Sequence, residues 1–425
     1  MIKVYIKELS IHNFKGIDDC HLSFREGFNL IIGENGRGKT SILEALSIGL
    51  SGFISGIHGN GIRSRNFLPE EARMVYTLQG DGAYEPITYW PSVEITADID
   101  SQQYTWVRSK AGYGAQTVTS PRDICHLAEK LLADISAKLP VICYQSAARV
   151  WSQKRKKQTN TFTRKKTSRI AGYIDCVSDE SSMKVMLDWC SRMEQISWQK
   201  NKPVREYEAV KQAVAKAMTI LEHIPVTVFY DKQSEELMYQ KGDEVVPISV
   251  LSAGYQSLIW MIFDIAYRMA VLNPFMTDDI HETTGIVLID ELDVHLHPRW
   301  QWKIIEVLRH AFPCVQFIAT THSPIIIASA KSVWCINIEN IRKPKCSMNG
   351  YGLEVDYILK NIQHAANLPD LVTQMLKDFY QYVDDGSLHQ AEGMLLKLEN
   401  EIGLENPIVV KARERLDLEI AFAED

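Results

Sequence analysis

Eight residues, Gly33-Glu34-Asn35-Gly36-Arg37-Gly38-Lys39-Thr40, separate the apolar run Asn29-Leu30-Ile31-Ile32 from the helical run Ser41-Ile42-Leu43-Glu44-Ala45-Leu46. This order constrains the fold more than any other feature of the chain. A strand must deliver the backbone into a glycine-rich turn whose N–H groups surround phosphate, and a helix must leave it, adding the positive end of its dipole. Lys39 then reaches the β and γ phosphates, and the Thr40 hydroxyl offers a ligand to Mg²⁺. Glu34, Asn35, Gly36, Arg37, Gly38 and Ser41 complete the cradle. A plain glycine-rich turn would leave the Lys39-Thr40 pair unexplained. The expectation is an α/β P-loop fold that takes ATP with Mg²⁺.

Four further segments follow in order. Leu251-Ser252-Ala253-Gly254-Tyr255-Gln256 opens an apolar helix, Ser257 to Val271, and Gly285-Ile286-Val287-Leu288-Ile289 is an apolar strand ending in Asp290-Glu291. The first of these acids is suited to hold Mg²⁺, and the second to orient or deprotonate the attacking water. Leu296-His297-Pro298 comes next, and then a strand, Val315 to Thr320, that ends at Thr321-His322-Ser323-Pro324. In this order the segments resemble the ABC-type head of recombination and chromosome-maintenance ATPases. The opening Leu9-Ser10-Ile11-His12-Asn13-Phe14-Lys15-Gly16-Ile17 is similar to that branch's first strand. The spelling from Asp290 to Pro298 resembles bacterial anti-phage and overcoming-lysogenisation ATPases. The tail from Gly350 to Leu359 looks like that of the ATPase subunit of Septu-type systems, including those linked to retrons. Motifs cover 1 to about 60 and 245 to 330, and the middle poorly.

The resemblance implies a homodimer with two composite sites, in which Ser252, Ala253, Gly254 and Gln256 of one copy face the phosphate loop of the other. The bland alternative is an ordinary helix start capped by Ser252. It also implies that Glu291 is the general base, that His322 contacts the γ-phosphate, and that Gln145, after the apolar strand Leu139 to Tyr144, links metal and water to the helical lobe. Lys15 resembles a basic residue that touches phosphate from the first strand. His295 and His297 lack the companions a zinc site needs, so an interface role is expected, with His297 standing where transporters have an aspartate.

Charge is informative only by region. The net is −7, yet 149–169 holds nine Lys or Arg and no acid, while 381–425 holds eleven acids against four bases. The basic stripe would contact DNA or RNA phosphate, form a solvated loop, or bind an acidic tail. The eight cysteines show no C-x-x-C pairs and sit mostly in apolar runs, as reduced core residues of a cytoplasmic protein do. No apolar run is long enough to span a membrane.

The expected organisation is an N-terminal part of the head with a β-rich lobe (1–145), a basic loop and helical insertion (146–225), the C-terminal part of the head (226–345), and a helical partner-docking region (346–425). Strands are predicted at 72–79, 92–99 and 102–109, and helices at 180–190 and 203–222. The last region should hold helices at 360–367 and 371–382 and a helical hairpin of 387–402 and 407–422, edged by Leu388, Leu395, Leu398, Val410, Leu416 and Ile420. It would dock another protein or pack on its own head. Glu354 and Asp356 lack a matching acidic strand, so no intrinsic nuclease is expected. The reading is a slow, regulatory ATPase of an anti-phage system that scaffolds and controls an HNH-type nuclease. A DNA-repair clamp of the recombination type is the alternative, and a transporter motor is disfavoured by the first strand.

Overall fold

The computed structural model describes residues 3–78, 84–147, 168–178, 183–363, 365 and 368–424. Strands β1 (Val4–Phe14) and β2 (Ile17–Ser23) form an antiparallel hairpin whose Leu9, Ile11 and Phe14 are fully buried. Strand β3 (Phe28–Ile32) is buried at every position, the pattern of a parallel strand covered on both faces. It leads through the glycine-rich turn into α1 (Lys39–Ile54). After a small ribbon of β4 (Arg73–Leu78) and β5 (Tyr84–Tyr89), the strands β6 (Ser92–Ile99), β7 (Gln102–Ser109) and β8 (Val118–Ser120) join the first hairpin in a five-stranded antiparallel sheet, β2-β1-β6-β7-β8.

This sheet is the expected β-rich lobe, and it packs on α1 where two glycines leave room. A Cβ at Gly49 would stand 2.3 Å from Ile95 Cδ1, and one at Gly52 2.6 Å from Trp106 Nε1. Trp106 Nε1 donates to Gly49 O at 2.8 Å, and the buried Arg108 donates to Ile48 O, Arg65 O and Asn66 Oδ1. Lobe and helix are thereby joined through backbone as well as side chains.

Helix α2 (Asp123–Ala133) precedes β9 (Val141–Gln145), and the insertion supplies α3 (Met183–Lys200) and α4 (Arg205–Glu222). On α4, Val210, Val214, Met218 and Leu221 are buried, the face read from their spacing. A meander of β10 (Val226–Asp231), β11 (Glu236–Lys241) and β12 (Glu244–Pro247) leads to α5 (Ala253–Leu272). Then come β13 (Gly285–Ile289), α6 (Pro298–Gln301), α7 (Ile304–Ala311), β14 (Val315–Thr321), α8 (Pro324–Ser329), β15 (Trp334–Asn337) and β16 (Lys345–Met348). The central sheet runs β16-β15-β3-β14-β13-β9, parallel except for β16. Ile32 pairs with Thr321 and Ile289 with Ala319, so the chain leaves β3, β13 and β14 at one edge. In open α/β sheets that edge is where ligands bind.

Of the basic stripe, all but Ser168 and Arg169 lies outside the described residues. Arg169 is committed internally, donating to Leu272 O at 2.7 Å, to Ile135 O at 2.8 Å and to Ala137 O at 2.5 Å. It is therefore a structural residue within the fold. All eight cysteines are free thiols, six of them buried. Among the described residues no helix is long and apolar enough to cross a membrane.

A second compact unit begins at Glu354, eight residues beyond the boundary read at 346. It contains α9 (Val355–Asn361), α10 (Asp370–Asp384), α11 (Leu388–Ile402) and α12 (Pro407–Glu424). Three helices share its core, with Phe379 of α10 buried alongside Leu395, Leu398 and Leu416. The expected hairpin is present, with α10 added to it. Val410 is 38% exposed and Val409 fully buried, because Val409, Ala412 and Leu416 follow the i, i+3, i+7 phase of one helix face. Replacing Phe379 by Ala should cost about 3–5 kcal/mol. Amide exchange should accelerate through α10–α12 while α1 keeps its protection.

Candidate functional site

Where β3 ends, the chain enters the loop through Gly33, and Gly36 (φ 77°) and Gly38 (φ 92°) hold the left-handed backbone that turns its N–H groups inward. Gly38 is also the N-cap of α1, and no side chain caps that end, so the first-turn donors face the loop. Arg37 is tied back to Glu34 at 2.7 Å, while Asn35 and Gly36 are exposed. The buried Lys39 folds over the loop, its Nζ donating to Gly33 O at 2.7 Å and Glu34 O at 2.8 Å. Burial pushes its ammonium down to about 8, against the opposing pull of Asp290, Glu291, Asp293 and Glu34. The cation is held among neutral carbonyls, and a phosphate would relieve that.

Past β13, the Asp290 carboxylate accepts from Thr320 Oγ1 at 2.7 Å and faces Thr40 Oγ1 at 3.3 Å. Thr320 serves the next residue too, because its hydroxyl oxygen accepts from Glu291 N at 2.8 Å. Glu291 occupies left-handed backbone (φ 47°), a conformation costing about 1–2 kcal/mol for a side-chain-bearing residue. The Thr320 contact holds it there. Asp293 organises the neighbouring turn, accepting from Thr321 Oγ1 at 2.5 Å and from His322 N at 3.1 Å. Burial and the Lys39 charge lower the His322 pKa below its usual value, which favours the neutral imidazole.

Lys39, Thr40, Asp290, Glu291 and His322 therefore lie close together, and their donors suit the expected ligand. A hydroxyl beside a carboxylate is an all-oxygen set of the kind Mg²⁺ takes. The uncapped helix start and the buried ammonium suit a polyphosphate.

Gln145 is placed differently. It pairs in register with Ile289, so the next residue, Asp290, points to the opposite face of the sheet. The Gln145 amide donates to the buried Asp264 Oδ2 at 2.7 Å, and Asp264 is paired with Arg268 of α5. The structure thus joins Gln145 to α5, on the face of the sheet opposite to Asp290. Lys15 pairs with Glu44 of α1 and stands 3.8 Å from Glu71 Oε1, giving its charge to acids beside the helix that follows the loop.

Ser252 is exposed at the start of α5 and caps nothing with its side chain. Gly254 is buried against the turn after Asp290-Glu291: a Cβ there would meet His295 O at 2.4 Å. Ala253 is half-buried, and Gln256 holds its own turn, donating to Leu251 O at 2.7 Å and Ser249 O at 2.9 Å. The exposed His297 accepts from Arg299 N at the start of α6.

Sequence reading missed Thr320, Asp293 and Gln301. Gln301 bridges two motifs, donating to Leu296 O at 2.9 Å and accepting from Ser323 Oγ at 2.6 Å. Asp293 stood inside a quoted motif, and its polar position just past two acids was the available signal. Thr320 and Gln301 carried none.

Gly254→Ala should force the start of α5 away from His295. ATP turnover is expected to fall at least tenfold while nucleotide affinity changes by less than about threefold, as steady-state rates and equilibrium binding would show.

The family model described as an AAA ATPase domain matches residues 5–53 and 92–327, more than half of the chain. Retron Ec83 probable ATPase of Escherichia coli is 35% identical over 152 residues, covering 35% of this chain and 28% of that protein. Retron Vc95 probable ATPase of Vibrio cholerae serotype O1 biovar El Tor is 22% identical over 383 residues, covering 78% of this chain and 72% of that one. Septu protein PtuA of Bacillus thuringiensis is 26% identical over 329 residues, covering 76% and 73%. The matched segment thus spans under a third of the Ec83 protein. A family match of this extent, running through the residues that build the phosphate site, means that the chain belongs to the AAA ATPase domain family: it is a P-loop ATPase similar to retron probable ATPases and to the Septu protein PtuA.

Proposed function

We infer that this ATPase works as a homodimer whose two composite sites close on ATP and relax after hydrolysis, and that this cycle controls a partner nuclease of HNH type in cytoplasmic anti-phage defence. One observation carries the dimer. The start of α5 combines an exposed Ser252, an uncapped first turn and a glycine packed against the turn that follows the catalytic acids. A helix start of that kind receives anions, and its link to His295 lets a phosphate docked there act on the turn beside Glu291. The similarity to retron and Septu ATPases supports the defence setting.

Within one site, Thr40 and Asp290 would hold Mg²⁺, which neutralises charge on the phosphates. Lys39 exchanges its loop carbonyls for phosphate oxygens. Glu291 accepts the proton of the attacking water. The neutral His322 is able to donate a hydrogen bond to the terminal phosphate without the desolvation cost of a cation. Such a cycle is a two-state element biased by ligand.

Glu291→Gln is the test. It should retain ATP binding, lower turnover at least about 100-fold and trap a dimer in ATP, seen by light scattering. Adding Ser252→Arg to the trapped protein should return it to monomer. A dimer that ignores both ATP and Ser252→Arg contradicts the composite site. Used as bait in native extracts, the trapped dimer should recover a nuclease.

A second measurement reads Lys39. Its folded pKa, about 8, lies below the ordinary 10.5, so at pH 9 the free protein holds it mostly neutral, and phosphate contact restores the charge. Calorimetry in buffers of different ionisation enthalpy should register proton uptake on ATP binding at pH 9 that falls away at pH 7, where Lys39 is already mostly charged.

A further inference from the structure

The tail segment Gly350-Tyr351-Gly352 takes no part in the phosphate site, and packing explains its two glycines. Gly350 is buried, and a Cβ there would lie 2.6 Å from Ile327 Cγ2 and 2.8 Å from Ile327 O. Gly352 holds left-handed backbone (φ 77°) and donates its N–H to Ala328 O at 3.0 Å. The turn is thereby pressed onto the end of α8. Tyr351, between the glycines, is left 49% exposed.

Tyr351 borders a cleft of about 750 Å³ that Trp302, also 49% exposed, lines as well. Buried Ile305, Phe312 and Ala328 give the cleft apolar ground, and the exposed Arg309 and Lys331 bring positive charge to it. Arg309 Nη1 donates to Lys331 O at 3.0 Å, and Lys331 Nζ stands 6.0 Å from the centre of the Tyr351 ring. Glu306, an acid of the same lining, stands 3.8 Å from His310 Nε2. The two fixed cations outweigh it. This cleft is remote from hydrolysis, because Gly27 and Val315 line it where β3 and β14 begin, whereas the chain leaves those strands toward Asp290 and His322. Strand rise puts about 20 Å between Val315 and Thr321. Half-exposed aromatic rings offer faces on which a base stacks, and neighbouring guanidinium and ammonium groups suit phosphate. The volume falls within the range of small-molecule sites.

We propose that this cleft binds a nucleotide unit, a base with its phosphate, either free or at the end of a strand: Trp302 and Tyr351 receive the base, and Arg309 and Lys331 the phosphate. The site is separate from the one that consumes ATP and shares no residue with it.

Two probes test the site and separate the sources. AMP is titrated calorimetrically into the full chain carrying Lys39→Ala, which removes nucleotide from the phosphate loop, and a fluorescein-labelled oligothymidylate is titrated into the wild-type chain by anisotropy. A site for free nucleotide binds AMP, and a site for a strand end binds the oligonucleotide in preference. For whichever probe binds, Trp302→Ala should weaken binding about tenfold, as loss of one stacking face does, and Trp302→Phe should restore most of it. Lys331→Glu should also weaken it about tenfold, the loss expected for one charged phosphate contact. In the chain with Lys39 intact, these substitutions should leave ATP turnover within about twofold, because the two sites are far apart, and that retained turnover reports that the variants are folded. Failure of both probes to bind, or binding that survives both Trp302→Ala and Lys331→Glu, overturns the proposal.

Discussion

The hydroxyl of Thr320 makes the hydrogen bonds on which the placement of Asp290 and Glu291 depends. It donates to the Asp290 carboxylate and accepts from the Glu291 backbone, so one side chain on β14 sets both acids at the end of β13. Adjacent residues leaving a strand point in opposite directions, and two neighbouring carboxylates would not by themselves serve one ligand. The left-handed backbone at Glu291 redirects the chain, and that strained turn persists because the adjacent strand supplies a partner for its N–H. Parallel register between β13 and β14 is what brings Thr320 there.

Burial penalises the charge of Lys39. Lys39 is almost fully buried, and two carbonyls take its hydrogen bonds where anions would serve better. The nearby acids pull its pKa upward, yet desolvation prevails. Burial and the same ammonium lower the His322 pKa below its usual value. Negative charge brought beside this ammonium would offset its desolvation, so the place where Lys39 is held suits a polyphosphate.

How much of this was legible in the sequence follows from how local each signal is. The phosphate loop, the acids after β13 and the histidine after β14 announce themselves because their chemistry is carried by consecutive residues. The strands at 92–99 and 102–109 were visible from alternation, and the helix at 205–222 from its buried face. What sequence could not reveal depends on register and on distant neighbours. Gln145 sits beside Asp290 in the sheet yet faces the other way, a distinction of one residue in pairing. Arg169 reads as one more charge in a basic run and is in fact spent on backbone carbonyls. Thr320 is an ordinary strand residue until its neighbour strand is known.

The glycine face of α1 carries a mechanical consequence. The lobe sheet is fastened at Ile48, Gly49 and Gly52, roughly ten residues along the helix from Lys39, or about 15 Å at helical rise. No long side chain intervenes at Gly49 or Gly52 to absorb slippage. Helix and lobe are consequently joined with no flexible spacer, so a tilt imposed on the sheet at its outer strands would be carried to the phosphate end of α1.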